Sequence, residues 1–155
     1  LPSDVIGAIC TNRHNDLDII MHFQSIGRIT PKIWQNLNWL RFHKNSDSVD
    51  RHKKKFEDKY AFLKITEIMV NKEYFEGDKR FYVYVDTEEE QILGKYTAKM
   101  LKEAINEYVS LHYSRIVKPL LNRRDDSGKA TSDPKKVIKQ IKDRLFQQFY
   151  GNNKQ

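Results

Sequence analysis

Apolar and polar positions alternate along this chain with two different periods. Leu17 to Phe23 is an almost wholly apolar run. It lies between a polar turn, Asn12 to Asp16, and a turn containing Gly27, which is the pattern of a buried strand. Ahead of it, residues 3–14 predict a short helix capped by Ser3. Val5, Ile6, Ala8, Ile9 and Cys10 supply its apolar cover, and Gly7 weakens it. Thr30-Pro31 is a cap followed by a proline in the first helical position, and predicts a helix over 31–38 with Ile33, Trp34 and Leu37 on one side. Trp39-Leu40-Arg41-Phe42-His43 alternates and predicts a second strand. Helix, strand, helix, strand in this order is the sign of an α/β layer with a parallel sheet. Two strands are too few for such a sheet, so further strands must join them.

The next stretch reads as a turn at Ser46-Asp47-Ser48 and a helical pattern to about Asn71, carried by Val49, Phe56, Tyr60, Leu63, Ile65, Ile68 and Met69. Glu76-Gly77-Asp78 is a turn. Phe81 to Asp86 is the strongest strand signal in the chain, and after the acidic break Thr87 to Glu90, Gln91 to Gly94 can return as a hairpin. Thr97 caps a helix with Leu101, Ala104, Ile105, Tyr108 and Leu111 on one face, expected to stop before Pro119. Residues 122–133 are small and polar and read as a linker. Asp133-Pro134 opens a last helix whose stripe is Ile138, Ile141, Leu145 and Phe149. The expected organisation is an α/β body over 1–121. Residues 1–45 form its earlier region, and residues 46–121 a later one of helix, β-hairpin and helix. The linker 122–133 and a basic amphipathic helix over 134–155 follow.

Charge adds a direction to this pattern. The net charge is +7, and residues 119–155 hold nine Lys/Arg against four Asp/Glu. Lys135, Lys136, Lys139, Lys142 and Arg144 cover much of the last helix outside its apolar stripe. A basic tail on a near-neutral body suits a polyanion, nucleic acid being the commonest. A solvated helix face accounts for the same lysines almost as well. The cluster Arg51 to Lys55 has the same two readings, phosphate contact or a solvated face balanced by Glu57 and Asp58. One cysteine, Cys10, excludes an internal disulfide and a thiolate zinc site made by this chain alone. No apolar run is long enough to span a bilayer, so no membrane partner and a cytoplasmic location (host cytoplasm, if viral) are expected. The chain does not begin with Met and is expected to be a fragment.

Motifs for chemistry are sparse. The six glycines are scattered singly, with no Gly-rich phosphate loop. The five histidines have no metal-ligand spacing, and Asp86 with Glu88 to Glu90 reads as a solvated acidic turn rather than a cation site. Gln24 stands apart. Polar residues just past the carboxyl end of a buried strand are where α/β sheets meet ligands, and Gln24 follows the predicted strand 17–23.

Arg13-His14, Leu17-Asp18-Ile19-Ile20, Gln24-Ser25, Ile29 and Pro31 together resemble the late core of the FtsK–HerA superfamily. These are P-loop ATPases that translocate or package DNA, among them viral packaging ATPases and Zot-like phage assembly proteins. The likeness covers about residues 4–45. Val83-Tyr84-Val85-Asp86 with Gln91 to Tyr96 is similar to the strand and Gly-Lys-Tyr step after the core in phage members. The resemblance implies the C-terminal portion of a RecA-like P-loop NTPase core, with a β-hairpin and added C-terminal helices. It implies a sensor role for Gln24 near the γ-phosphate or attacking water, and a trans-acting role for Arg13 at a subunit boundary. Both are physically reasonable, since an amide can orient water and an arginine can neutralise charge on a transferring phosphoryl group. It also implies DNA and a homo-oligomeric ring as partners, with ATP and Mg²⁺ as cofactors of a longer parent protein. Walker A and Walker B motifs are absent here, so no cofactor and no activity are expected of this chain alone. The alternative is a small basic nucleic-acid-binding or virion-assembly module without catalysis.

Overall fold

One helix, α2 (Tyr60–Glu76), forms the middle of the structure, a computed structural model that describes residues 7, 19–122 and 133–151. The chain is a small mixed α/β protein with a three-stranded antiparallel sheet and several helices. In order the elements are α1 (Pro31–Gln35), β1 (Trp39–His43), α2, β2 (Tyr82–Asp86), β3 (Gln91–Leu93), α3 (Ala98–Leu111), α4 (Tyr113–Ile116), α5 (Lys118–Leu121) and α6 (Pro134–Phe149). Two 3₁₀ turns, Ile26–Arg28 and Val49–His52, precede α1 and α2.

The middle of α2 is apolar on nearly every side. Phe62, Leu63, Ile65, Ile68, Met69 and Val70 are all buried, which is what a helix packed from several directions requires. Each such side chain contributes roughly 1.5–3 kcal/mol by leaving water. The sheet and α3 both lie against α2, and α6 lies on α3 and reaches β3. Gly77, at φ 127°, ends α2 in a conformation that few other residues adopt, and its N–H bonds to the Glu73 carbonyl.

Sheet order is β1-β2-β3. The register sets Phe42 opposite Val83, Leu40 opposite Val85 and Val85 opposite Ile92. The period of two turns these residues toward the core, where Phe42, Val83, Val85 and Ile92 are buried. Beyond α6, Gly151 approaches β3, and its N–H donates to the Ile92 carbonyl at 3.3 Å.

Several expectations hold. Thr30, Thr97 and Asp133 each cap their helix through a side-chain oxygen. The hairpin forms as β2–β3, and α6 starts at Pro134. Other expectations are corrected. Residues 19–23 of the predicted strand 17–23 are not a strand, and Ile20 is 83% exposed. Met21 and Phe23 pack partly against the core, but the segment has no ladder partner among the described residues. The parallel sheet is replaced by antiparallel pairing, because β1 finds β2 across α2 rather than the segment before it. The helix expected after the turn Ser46 to Ser48 begins at Tyr60. The like charges of Arg51 to Lys55 oppose helix at i, i+3 and i, i+4, and this stretch forms turns. The helix after Thr97 ends at Leu111, where the His112 ring meets the Tyr108 carbonyl. Pro119 then sits in the first turn of α5 instead of stopping the helix. Among the described residues, no helix is long and apolar enough to cross a membrane.

Candidate functional site

The loop that carries Gln24 is fastened immediately after it. The Ser25 hydroxyl donates to Asp47 Oδ2 at 2.8 Å and accepts the Gly27 N–H at 3.1 Å. His52 Nε2 lies 2.6 Å from the same Asp47 oxygen. A carboxylate can only accept, so the imidazole is the donor in that contact. These bonds hold the Asp47 carboxyl at a pKa of about 2, the Ser25 hydroxyl contributing most and His52 next. From the other side Lys55 Nζ donates to the carbonyls of Gly27 and Ile29 at 2.7 and 2.8 Å. Its partial burial lowers the Lys55 pKa, which the Asp47 charge opposes. Gly27 leaves room for this cluster: a Cβ there would crowd the ends of the Asp47 and His52 side chains.

This arrangement is not a nucleophilic triad. Ser25 donates to the carboxylate of Asp47 rather than to an imidazole, and a carboxylate of such low pKa is too weak a base to take the hydroxyl proton. Its chemistry is positional: it fixes the backbone one residue beyond Gln24. Gln24 itself is exposed, and it lines neither of the two clefts described below. Arg13 lies outside the described residues, as do His14, Leu17 and Asp18. Among the described residues no group of three or more His, Cys, Asp or Glu side chains could hold a metal ion. Asp86 is occupied locally, its Oδ1 accepting the N–H groups of Glu88 and Glu89 at 2.9 and 3.0 Å.

The predicted basic residues fare differently. Val137, Leu145 and Phe149 bury one stripe of α6. On the side facing α3, Lys135, Lys139 and Lys142 come together with Lys102 of α3 around a groove of about 490 Å³. Its floor is Ile105, Ile138 and Phe146, and Lys102 Nζ stands 5.1 Å above the Phe146 ring. Asp143 is the one acidic side chain of the lining. Lys136 and Arg144 are exposed on α6 outside this groove. A second cleft of about 360 Å³, lined by Trp34, Lys55, Lys59, Thr87 and Glu88 among others, mixes both signs.

The chain matches no protein-family model, no curated protein and no solved structure.

Four ammonium groups over an apolar floor form a surface suited to a chain of phosphates with apolar or aromatic parts between them. Sequence reasoning found three of the four. Lys102 lies on a different helix, and only the packing of α3 against α6 brings it there. The Ser25–Asp47–His52 contacts were also missed. Their separations of 22 and 5 residues match no local motif.

Proposed function

We propose that this chain is a nucleic-acid-handling module, and the C-terminal portion of an ATP-driven DNA translocase or packaging ATPase of viral or phage type. The observation that carries the nucleic-acid reading is the lysine-rimmed groove between α3 and α6. The ATPase reading is supported by the resemblance of residues 13–31 and by the fastening of Ser25 and Gly27 directly behind the exposed Gln24. A residue that orients water or senses a γ-phosphate needs a fixed neighbouring backbone, and Ser25 and Gly27 are bonded.

The described residues do not fit ATP and Mg²⁺ by themselves: they offer neither a Gly-rich phosphate loop nor a carboxylate cluster. In this reading residues upstream of Leu1 grip the nucleotide, a RecA-like core is completed by them, and this chain contributes Gln24 as a sensor near the γ-phosphate or attacking water and Arg13 at a subunit boundary. The groove then follows the DNA.

The test has two arms. In a protein that includes the upstream segment, Gln24→Ala is expected to lower ATP turnover with little loss of nucleotide binding. In the chain as given, Lys135→Ala/Lys139→Ala/Lys142→Ala is expected to weaken DNA binding and to reduce the slope of log affinity against log salt by about 2–3. Unchanged turnover in the first arm removes the ATPase reading, and an unchanged salt slope in the second removes the DNA groove. The groove also favours a second reading, a binding or virion-assembly module without catalysis. Loss of the slope in the lysine variant, together with no ATP turnover in the wild-type protein, is its signature.

A further inference from the structure

The face of the sheet turned away from the core is divided by charge along its strands. Its cross-strand rows are His43–Tyr82, Arg41–Tyr84–Leu93 and Trp39–Asp86–Gln91. Trp39 is 52% exposed and Tyr84 40% exposed, and Arg41 and His43 are exposed beside them. Exposed tryptophan, tyrosine and arginine are what protein interfaces favour. Arg41 is in register with Tyr84, but its guanidinium reaches along the strand to lie 3.8 Å from the centroid of the Tyr82 ring. It thereby joins Lys44 and Arg80 at the His43–Tyr82 end, where Asp78 also stands. Asp86, Glu88 and Glu89 gather at the other end.

A partner of one sign would meet repulsion at one of these ends. A second copy, turned end for end, meets the opposite sign at both. The operation is a two-fold axis lying between the two faces and running across the strands, along the Arg41–Tyr84–Leu93 row. It sets the Tyr82 row over the Asp86 row of the second copy, and Tyr84 and Leu93 over their own counterparts. The strands of the two sheets then run in opposite directions, within the aligned packing that facing sheets adopt. A two-fold axis along the strands would set like charge on like, so charge selects between the two. Arg41 need not leave Tyr82, because a guanidinium stacked on a ring keeps its N–H edge for a carboxylate. His43 falls over Trp39 of the second copy. Partial burial and the Arg41 charge lower the His43 pKa, so near pH 7 it brings a neutral ring to that contact. A foreign partner would need a surface with this same division of charge, and a second copy carries it already.

We infer that this face is covered by a second copy of the chain in a two-fold dimer. Arg41 and Arg80 of each copy meet Asp86 and Glu89 of the other, around a centre of Trp39, Tyr84 and Leu93. Such a contact closes at two copies, unlike the head-to-tail contacts of a ring. It uses no residue of the lysine groove, and it stands whether or not the chain belongs to an ATPase. One small sheet face is at the low end of interface sizes, so the expected affinity is roughly micromolar.

Sedimentation equilibrium of the full chain from about 1 to 500 µM brackets such an affinity, and a monomer–dimer equilibrium is expected. Arg41→Glu and Asp86→Lys are each expected to weaken it more than about 10-fold, because each sets like charges face to face twice. Mixed in equal amounts, these two variants are expected to form a mixed dimer near wild-type strength. In that dimer the two reversed charges meet each other, and the unreversed pair is intact. Arg80→Glu and Glu89→Lys make a second such pair that leaves the Asp86 side chain, and its bonds to the N–H groups of Glu88 and Glu89, in place. Circular dichroism shows which variants are folded. A wild-type chain that stays monomeric at about 500 µM overturns the inference. So does a dimer that folded reversal variants leave unweakened, since another face then holds it. Weakened single variants that fail to recombine when mixed overturn the end-for-end arrangement.

Discussion

The ring of Phe149, in the last turn of α6, lies 4.9 Å from the ring of Phe62 in the middle of α2. Phe149 is 2% exposed and Phe62 1% exposed. Through this contact the helix that carries the lysine groove is anchored in the same core as the sheet. Phe149→Ala removes a buried ring and leaves a cavity, at a cost of about 3–5 kcal/mol. Urea unfolding is expected to show that loss, and limited proteolysis to cut α6 faster than α2. If the two helices lose protection equally, α6 is not held chiefly by this ring.

The low pKa of Asp47 makes a statement about acid stability. An ordinary aspartate titrates at about 3.9, and in the folded chain the bonds from Ser25 and His52 lower Asp47 to about 2. Its folded pKa is depressed, so its contribution is present above about pH 4 and is lost as pH falls toward 2. Asp47→Asn removes the titration while keeping one acceptor oxygen. The variant is expected to be less stable than the wild type at neutral pH, with the gap closing between about pH 4 and pH 2. Urea midpoints across that range measure it. A gap that stays constant down to about pH 2 would show that the carboxylate's bonds to Ser25 and His52 do not contribute in this way.

Glu67 is a carboxylate only 4% exposed, on the face of α2 that meets the turn before it. Its Oε1 accepts the Val49 N–H at 3.0 Å and its Oε2 meets Lys64 Nζ at 2.7 Å. Lys64 also reaches Asp50 at 2.7 Å, and Asp50 accepts the Tyr60 hydroxyl at 2.5 Å. Burial lowers the Lys64 pKa, but its bonds to Asp50 and Glu67 outweigh burial and raise it. Glu67→Ala leaves a buried N–H and a half-paired ammonium, and is expected to cost about 3–5 kcal/mol. Lys64→Met/Glu67→Met is expected to cost less than the sum of the single changes, because neither buried charge is left facing the other's absence; the Val49 N–H stays unpaired, and Asp50, which loses Lys64, is half-exposed and keeps the Tyr60 hydroxyl. A double-mutant cycle by chemical denaturation measures the coupling, and additive losses would refute it.

The chain's local signals were legible and its pairings were not. Thr30-Pro31, Thr97 and Asp133-Pro134 mark helix starts through bonds made within three residues, and all three caps formed. The β2–β3 hairpin is likewise local. β1 was visible as alternation, but its partner lies about forty residues on, and nothing in Trp39 to His43 names it. The run Leu17 to Phe23 shows the opposite failure. Its hydrophobicity predicted burial, yet Ile19 and Ile20 are exposed, because apolar composition does not supply a strand with a neighbour. At the candidate site, the lysines of α6 could be read from helical spacing, whereas Lys102 and the Asp47 and His52 contacts depend on packing between elements. The outer face of the sheet was written in the alternation of Trp39, Arg41 and His43 with Tyr82 and Tyr84, and became readable only once the register placed the two strands side by side.

Gly27 tests whether the Gln24 loop is truly fastened. A Cβ at this position would fall within 2.8 Å of His52 Cε1 and crowd Asp47, so either those side chains or the turn Ile26–Arg28 must move. The atoms in the way are side-chain ends, but both are committed to bonds with each other, and Asp47 also to Ser25. Moving them breaks the fastening, and overpacking of this kind costs about 1–3 kcal/mol. Gly27→Ala is therefore expected to lower the urea midpoint and to speed amide exchange at Gly27 and Arg28, whose N–H groups bond to Ser25. His52→Ala/Gly27→Ala should recover part of the loss by opening the space. If Gly27→Ala leaves both stability and exchange unchanged, the contacts among Ser25, Asp47 and His52 do not hold this loop, and the positional role assigned to it goes with them.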